Sequence, residues 1–223
     1  MVPLLRRGVI KRGLVAEWRL LEGTGTTTAD RGPTGYTGTF VNTPNWVATG
    51  IDFVTADTDY ITTTLIPPVA GTIQCLFAAD FFSAARNQIG CLDAANGRCF
   101  MNAGDGSTNI LTGGIGTQGS AVIKATTVMT AGVWYMGTMT WSGTLVELYT
   151  NASREYSAAQ SGAVSTTNAL WIGARNNNGA PSSAYDGKMT WFAVYNRVLR
   201  PWEVARNLRY ARHLKAPVGV VVP

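Results

Sequence analysis

Histidine, cysteine and charge are scarce in this chain, and each shortage removes a class of function. The 223 residues hold one histidine, His213. Ser-His-Asp or Cys-His chemistry would have to draw on the last expected helix, and a His-Glu-x-x-His zinc motif is impossible. The three cysteines, Cys75, Cys91 and Cys99, match no zinc spacing and cannot all pair. They read as core thiols of a protein that folds in a reducing compartment. No glycine-rich loop runs into Lys-Ser or Lys-Thr, so the common phosphate cradle is missing. Charged residues make up 14% of the chain against 46% hydrophobic ones, the balance of a folded domain. No apolar run has the length of a membrane span, and the stretch from Met1 to Ile10 is too weakly apolar for a signal peptide. Neither a membrane partner nor export by that route is expected.

Glycine is plentiful, at 25 residues, among runs of Thr, Ser, Asn and Ala. This is the composition of short strands joined by tight turns, and the length suits one domain with a large core. Alternation places strands at Leu14 to Arg19, Thr39 to Val41, Gly50 to Phe53, Asp59 to Thr62, Asn87 to Leu92, Cys99 to Ala103, Asn109 to Gly113, Ser120 to Thr126, Trp134 to Trp141, Thr144 to Thr150, Ala169 to Ala174 and Lys188 to Tyr195. Gly71 to Phe82 reads as a buried strand with Ile73, Cys75 and Phe77 on one face and Leu76 on the other. So many short strands predict an all-β, two-sheet antiparallel sandwich or jelly roll.

One helix is expected, Pro201 to Leu214, with Glu203 at its positive end and a stripe of Ala205, Leu208, Ala211 and Leu214; Arg206, Arg209 and His213 line another side. The organisation is then a basic arm (1–13), a sandwich (14–200), the helix (201–214) and a tail (215–223). The net charge of +5 gathers at the ends, in Arg6, Arg7, Lys11 and Arg12 and in Arg197, Arg200, Arg206, Arg209, Arg212 and Lys215. Such arms fray unless tied down, so they are expected to be held by the domain or by neighbouring subunits. Val220, Val221 and Val222 suit addition of a strand to a neighbour.

Four blocks carry a family likeness: Gly13-Leu14-Val15-Ala16-Glu17-Trp18-Arg19-Leu20-Leu21-Glu22-Gly23-Thr24-Gly25; Gly132-Val133-Trp134-Tyr135 through Trp141 to Val146-Glu147-Leu148-Tyr149-Thr150-Asn151; Leu170-Trp171-Ile172-Gly173; and Tyr185-Asp186-Gly187 through Glu203. Over residues 13 to 208 the chain resembles the laminin-G-like, concanavalin A-like jelly-roll superfamily, in the form met in bacterial surface proteins and phage structural proteins. The resemblance implies turns at Asn151 and Asp186-Gly187 and a chain that leaves the sheet at Asn196-Arg197. Arg200-Pro201 departs from the Ser or Thr that relatives place before the helix, so this helix is expected to start without a side-chain cap.

Relatives that hydrolyse glycosides alternate carboxylates along one strand, whereas here Glu147 stands without a second acid two residues away. An enzyme is not expected. Relatives that bind calcium do so at rim loops, for which Asp57 with Asp59, or Asp93 with Asn96, are the candidates; otherwise no cofactor is implied. For a glycan, aromatic platforms beside amides point to Trp46, Asn176, Asn177, Asn178, Tyr185 and Asp186. Aromatic residues are not interleaved with the basic ends, so nucleic acid is disfavoured against an acidic protein surface. The first reading is a non-enzymatic virion protein, a capsid decoration, head-fibre or tail accessory subunit assembled in the host cytoplasm as a homo-oligomer. In that reading Arg6, Arg7, Lys11, Arg12, Arg206, Arg209 and Val220 to Val222 attach it to other virion proteins. The alternative is a carbohydrate-binding module or adhesin recognising cell-surface glycans.

Overall fold

The computed structural model describes residues 8–43, 45–82, 87–93, 96–104, 106–117 and 122–215. Two β-sheets face each other across an apolar core. The first runs in the order β14 (Ser153–Ala159), β13 (Leu145–Thr150), β12 (Tyr135–Trp141), β7 (Gly71–Ala79), β18 (Gly187–Tyr195), β5 (Gly50–Phe53) and β4 (Asn45–Val47), with β1 (Leu14–Arg19) paired to the second half of β18. The second runs β11 (Ile123–Val128), β10 (Ile110–Thr117), β9 (Asn96–Ala103), β8 (Asn87–Asp93), β15 (Trp171–Ile172), β6 (Tyr60–Thr62), β3 (Gly38–Val41) and β2 (Thr27–Thr28). A hairpin of β16 (Arg175–Asn177) and β17 (Ala180–Ser182) lies along β8, with β16 parallel to it. The helix α1 (Pro201–Lys215) follows the last strand. The expected all-β jelly-roll sandwich is therefore present.

Periodicity located most strands; among those it missed, β14, β16 and β17 follow turns set by positive-φ residues. Asn151 and Ala152 take positive φ of 50° and 70° and reverse the chain between β13 and β14. No apolar alternation announces β14, whose residues are mostly exposed. Asn178-Gly179, with φ of 50° and 91°, is the two-residue turn that closes β16 on β17, a hairpin signal easily read as a plain loop. Asp186-Gly187 is not the expected hairpin turn. Gly187 (φ 129°) instead opens β18 so close to β7 that a Cβ there would meet Ala78 O at 2.3 Å.

The molecule has a third layer. Ile73, Cys75 and Phe77 of β7 enter the core between the sheets, while Leu76 and Ala78 point the other way, beneath α1. Val204, Leu208 and Ala211 of the helix join Trp191, Ala193 and Tyr195 of β18 and the segment Val9-Ile10 in this second cluster. Within the basic arm expected over 1–13, Val9 and Ile10 are buried against the domain. Arg6, Arg7, Val220, Val221 and Val222 lie outside the described residues.

Two buried polar centres fasten the layer. Asn207 Oδ1 accepts Ile10 N–H at 2.9 Å, and its Nδ2 donates to Gln74 Oε1 at 2.7 Å and to the Tyr195 hydroxyl at 2.8 Å. Glu17 shares β1 with Ala16 and Trp18 but turns away from the main core, fully buried. Its Oε1 accepts from Tyr210 Oη at 2.7 Å, Arg19 Nε at 3.0 Å and Trp191 Nε1 at 3.2 Å, and Lys11 Nζ stands 3.6 Å from Oε2.

The helix does carry a side-chain cap, supplied from its third residue. Glu203 Oε2 accepts Arg200 N–H at 2.8 Å, and both carboxylate oxygens take Arg197, at 2.7 and 2.6 Å. Arg197 holds the Glu203 carboxyl below the usual carboxylate range against the opposing effect of burial. Because the folded-state pKa is depressed, this stabilisation is present at neutral pH and lost as pH falls through it. Glu203→Gln is expected to lower stability at pH 7 and to flatten the loss below about pH 4.5. Urea midpoints from pH 7 to pH 3 check this, and parallel curves for the two proteins would refute it.

At the open side of the sandwich, Glu155 of β14 crosses to the other sheet. Its carboxylate accepts the N–H groups of Thr126 and Thr127 of β11 at 2.6 and 2.7 Å, and both threonine hydroxyls. Burial works to raise this carboxyl, and the hydrogen bonds from Thr127 and Thr126 outweigh it and hold it low.

Candidate functional site

The outer face of the second sheet gathers amide, guanidinium and aromatic side chains. Along β9, Cys99, Met101 and Ala103 enter the core, so Arg98, Phe100 and Asn102 face away from it. Register places Gln88 opposite Asn102, Asn102 opposite Thr112, and Thr112 opposite Lys124, one polar row across four strands. In the next row Phe100 lies between Cys91 and Gly114, and Cys91 faces Trp171.

Two aromatic centres stand beside the polar row. The Arg98 guanidinium lies 4.3 Å from the centre of the Phe100 ring. Trp171 stacks on Tyr60, with centroids 5.0 Å apart and planes 26° from parallel, and Val41 and Ala174 pack against the pair. Burial pushes the Tyr60 hydroxyl pKa up, so it stays a neutral donor at physiological pH. Gln88, Arg98, Phe100, Asn102 and Thr112 are buried, while Lys124 and Asn177 are exposed and Arg175 and Ser182 half-buried at the margins. Among the described residues, the buried oxygens Gln88 Oε1, Asn102 Oδ1 and Ser182 Oγ have no hydrogen-bond partner. An amide oxygen buried in that state costs about 1–3 kcal/mol.

The candidates drawn from the sequence separate. Asn177 and Asn178 are exposed on the hairpin beside β8, at the rim of this face. Asn176 is a correction: it is buried, donating to Ala169 O and accepting Gly179 N–H, and so holds the hairpin together. Tyr185 is a second correction. It is fully buried, with its ring edge-on to Phe53 and Phe77, which leaves no face for a sugar. Asp186 is half-buried and gives its carbonyl to Asp80 N–H. Trp46 lies on β4 of the other sheet, packed on Phe40 and donating to Gly25 O, away from the asparagine hairpin.

Of the calcium candidates, Asp59 is buried and its Oδ2 accepts Val54 N–H at 3.2 Å, which makes it a turn residue and not an open rim ligand. The backbone of Asp57 ends a 3-10 turn, and its side chain, like those of Asp93 and Asn96, lies outside what is described. Among the described residues no three His, Cys, Asp or Glu side chains cluster as a metal site. Glu147 is held by Arg154 at 2.9 Å and by the Tyr149 hydroxyl at 3.0 Å. Cys75 and Cys99 are buried, and burial drives the Cys75 thiol pKa well up, as suits a core thiol.

The sequence reading missed the outer face itself. Its signal was the alternation Arg98-Cys99-Phe100-Met101-Asn102-Ala103, in which neither set is a plain solvated face.

A two-sheet jelly roll with aromatic, amide and guanidinium groups gathered on one sheet face is a lectin-like architecture. The model of the Laminin_G_3 family, described as concanavalin A-like lectin/glucanases superfamily, matches residues 55–205, and the chain belongs to this family. No curated protein matches its sequence. Solved structures share the fold at low identity. A Trypanosoma rangeli sialidase in complex with 2,3-difluorosialic acid is 14% identical with a TM-score of 0.68, covering 97% of this chain and 36% of its own. The binding domain of botulinum neurotoxin serotype D is 11% identical with a TM-score of 0.63, covering 89% of this chain and 51% of its own. A Ruminococcus gnavus IT-sialidase CBM40 bound to α2,3-sialyllactose is 11% identical with a TM-score of 0.52, covering 65% of this chain and 85% of its own. The chain thus spans about a third of the length of the sialidase it matches.

Proposed function

We propose that this chain is a glycan-binding module whose ligand is held on the outer face of the second sheet. The observation that carries the reading is the pair of buried, unpartnered amide oxygens of Gln88 and Asn102, side by side in a row that ends at the exposed Lys124. A sugar hydroxyl reaching this row from the exposed margin at Lys124 or Asn177 satisfies them, with Arg98, Phe100 and Trp171 packed behind the row. The CBM40 likeness supports the same class of ligand.

Binding is the whole of the activity in this reading. Glu147 is locked to Arg154 and Tyr149, and its neighbours two residues away are Leu145 and Tyr149, which leaves no acid and nucleophile about 5 Å apart along the strand. A virion subunit displaying the module outward is a second reading of the same chain. It is favoured by the burial of Val9 and Ile10 beneath α1, which brings Lys11 and Arg12 to the side of the sandwich that carries the helix.

Glycan-array binding of the full chain is the test, beside Gln88→Met and Asn102→Leu. Each variant removes an unsatisfied oxygen, so each is expected to keep or raise the unfolding midpoint while weakening binding about tenfold or more. A flat array for the native chain, or variants that bind as it does, would sink the proposal.

A further inference from the structure

The strongest feature left unused by glycan binding is an uneven distribution of charge. Segments 8–36 and 196–215 hold ten Lys and Arg against four Asp and Glu, a net of +6, while 37–195 holds six against nine, a net of −3. The two basic segments are packed together. Gly13 O accepts Asn196 N–H, Arg12 O accepts Arg197 Nε, and Arg19 lies over the Tyr210 ring.

All four acids of this pole are engaged internally. Glu17 is buried among its donors, and Glu22 accepts from Leu21 N, Thr28 Oγ1 and Ala29 N. Asp30 accepts the N–H groups of Glu17, Gly32, Gly35 and Tyr36, and Glu203 holds Arg197 and the helix start.

The outward side of α1 is a single stripe. Val204, Asn207, Leu208 and Ala211 are buried, which turns Trp202, Arg206, Arg209 and His213, spaced four, three and four residues apart, to the opposite side. Trp202 is 56% exposed at the head of the stripe, and Arg209 and His213 are exposed with it. Trp and Arg are the residue types that dominate the energetics of protein interfaces.

We propose that this stripe, extended by Arg12 and Arg200, docks an acidic protein surface. Charge complementarity selects an anionic partner, and the stripe selects its kind. The apolar side of α1 is spent against the sheet, so the helix has nothing to insert into a bilayer. One aromatic at the end of a row of cations is not the interleaved stacking platform that single-stranded nucleic acid needs. An aromatic anchor flanked by arginines matches a patch of Asp and Glu around a shallow apolar recess.

The probe is poly-L-glutamate, titrated against the full chain at 50 and 300 mM salt, with a DNA duplex and phosphatidylserine vesicles as competing polyanions. Binding is expected to weaken about tenfold in Arg206→Gln/Arg209→Gln and also in Trp202→Ala, which keeps every charge. Arg154→Gln, one charge removed from the β14 edge, is expected to bind as the native chain does. Trp202, Arg209 and Arg154 are exposed and Arg206 is half-buried, so thermal midpoints should stay within a few degrees. Absence of poly-L-glutamate binding, a Trp202→Ala variant that binds undiminished, or tighter binding of DNA or vesicles would overturn the proposal. Glycan-array binding of the Trp202→Ala chain, expected to be unchanged, separates this surface from the sheet face.

Discussion

Asn207→Ala is expected to destabilise the protein by about 3–5 kcal/mol, which for a chain of this size lowers the thermal midpoint by roughly 10 °C. Asn207 is fully buried and uses one acceptor and two donors, each on a different element: the N-terminal segment at Ile10, β7 at Gln74 and β18 at Tyr195. Alanine strands all three partners and leaves a small void. The loss should not stay local, because Gln74 Nε2 also donates to Thr138 on β12 at 3.0 Å. Urea titration should show a lower midpoint with an unchanged slope, and hydrogen exchange should show the Ile10 amide losing its protection. A cost below about 1 kcal/mol would mean that water replaces the side chain. The centre would then not be what fastens the helix.

Glu17→Ala is expected to cost a similar amount, about 3–5 kcal/mol, for an electrostatic reason. The carboxylate is buried among four donors, and removing it leaves the Tyr210 hydroxyl and the Trp191 indole N–H without an acceptor and Arg19 without its counter-charge. Glu17→Gln keeps one acceptor oxygen and should cost roughly half as much. Tyr210→Phe isolates one arm of the centre. Made alone it should cost about 1.5–3 kcal/mol, the range for a hydrogen bond to a charged group, and in the Glu17→Ala background much less. Additive costs would show that the two side chains stabilise the protein independently, against the geometry. The pKa of Tyr210 is raised by burial and then by Glu17, so the hydroxyl remains a donor through the physiological range.

The sandwich was legible in the sequence because its strands alternate against a two-sided apolar core. Ile73, Cys75 and Phe77 on one face of β7 and Leu76 on the other follow directly from the period of two. The same rule misleads where a third layer covers a sheet. Glu17, on the polar side of the β1 pattern, is enclosed because α1 lies over that side, and no local pattern announces the helix position. Arg200-Pro201 gave no capping residue, yet the cap exists because Glu203 reaches back to Arg200 N–H, a contact that depends on side-chain direction.

The proposed binding face was legible only in part. Of the asparagine run, Asn177 and Asn178 are exposed beside β8, whereas Asn176 is buried and spends its amide on the hairpin. Tyr185 was misplaced because an aromatic before Asp-Gly looks the same on a loop as in a core. Arg98, Phe100 and Asn102 alternate with the core residues Cys99, Met101 and Ala103, and a strand assignment alone does not say what covers its other face. What sets the proposed binding residues apart from solvated ones is the cross-strand row from Gln88 to Lys124, a property of register between four strands and not of any one segment.

The bridge from Glu155 to Thr126 and Thr127 also bears on how the molecule behaves in a crowd. β14 and β11 are the terminal strands of the two sheets, and an outermost strand offers its unused amide groups as a template on which a foreign chain can extend the sheet. By taking the N–H groups of Thr126 and Thr127 of β11 onto a charged side chain, Glu155 turns one sheet's margin toward the other and places a half-buried negative charge where an intruding strand would have to lie. The sandwich is in this respect sealed like a barrel along that side, with a single carboxylate in the place of a missing strand, and the bridge guards solubility as much as it contributes to folding.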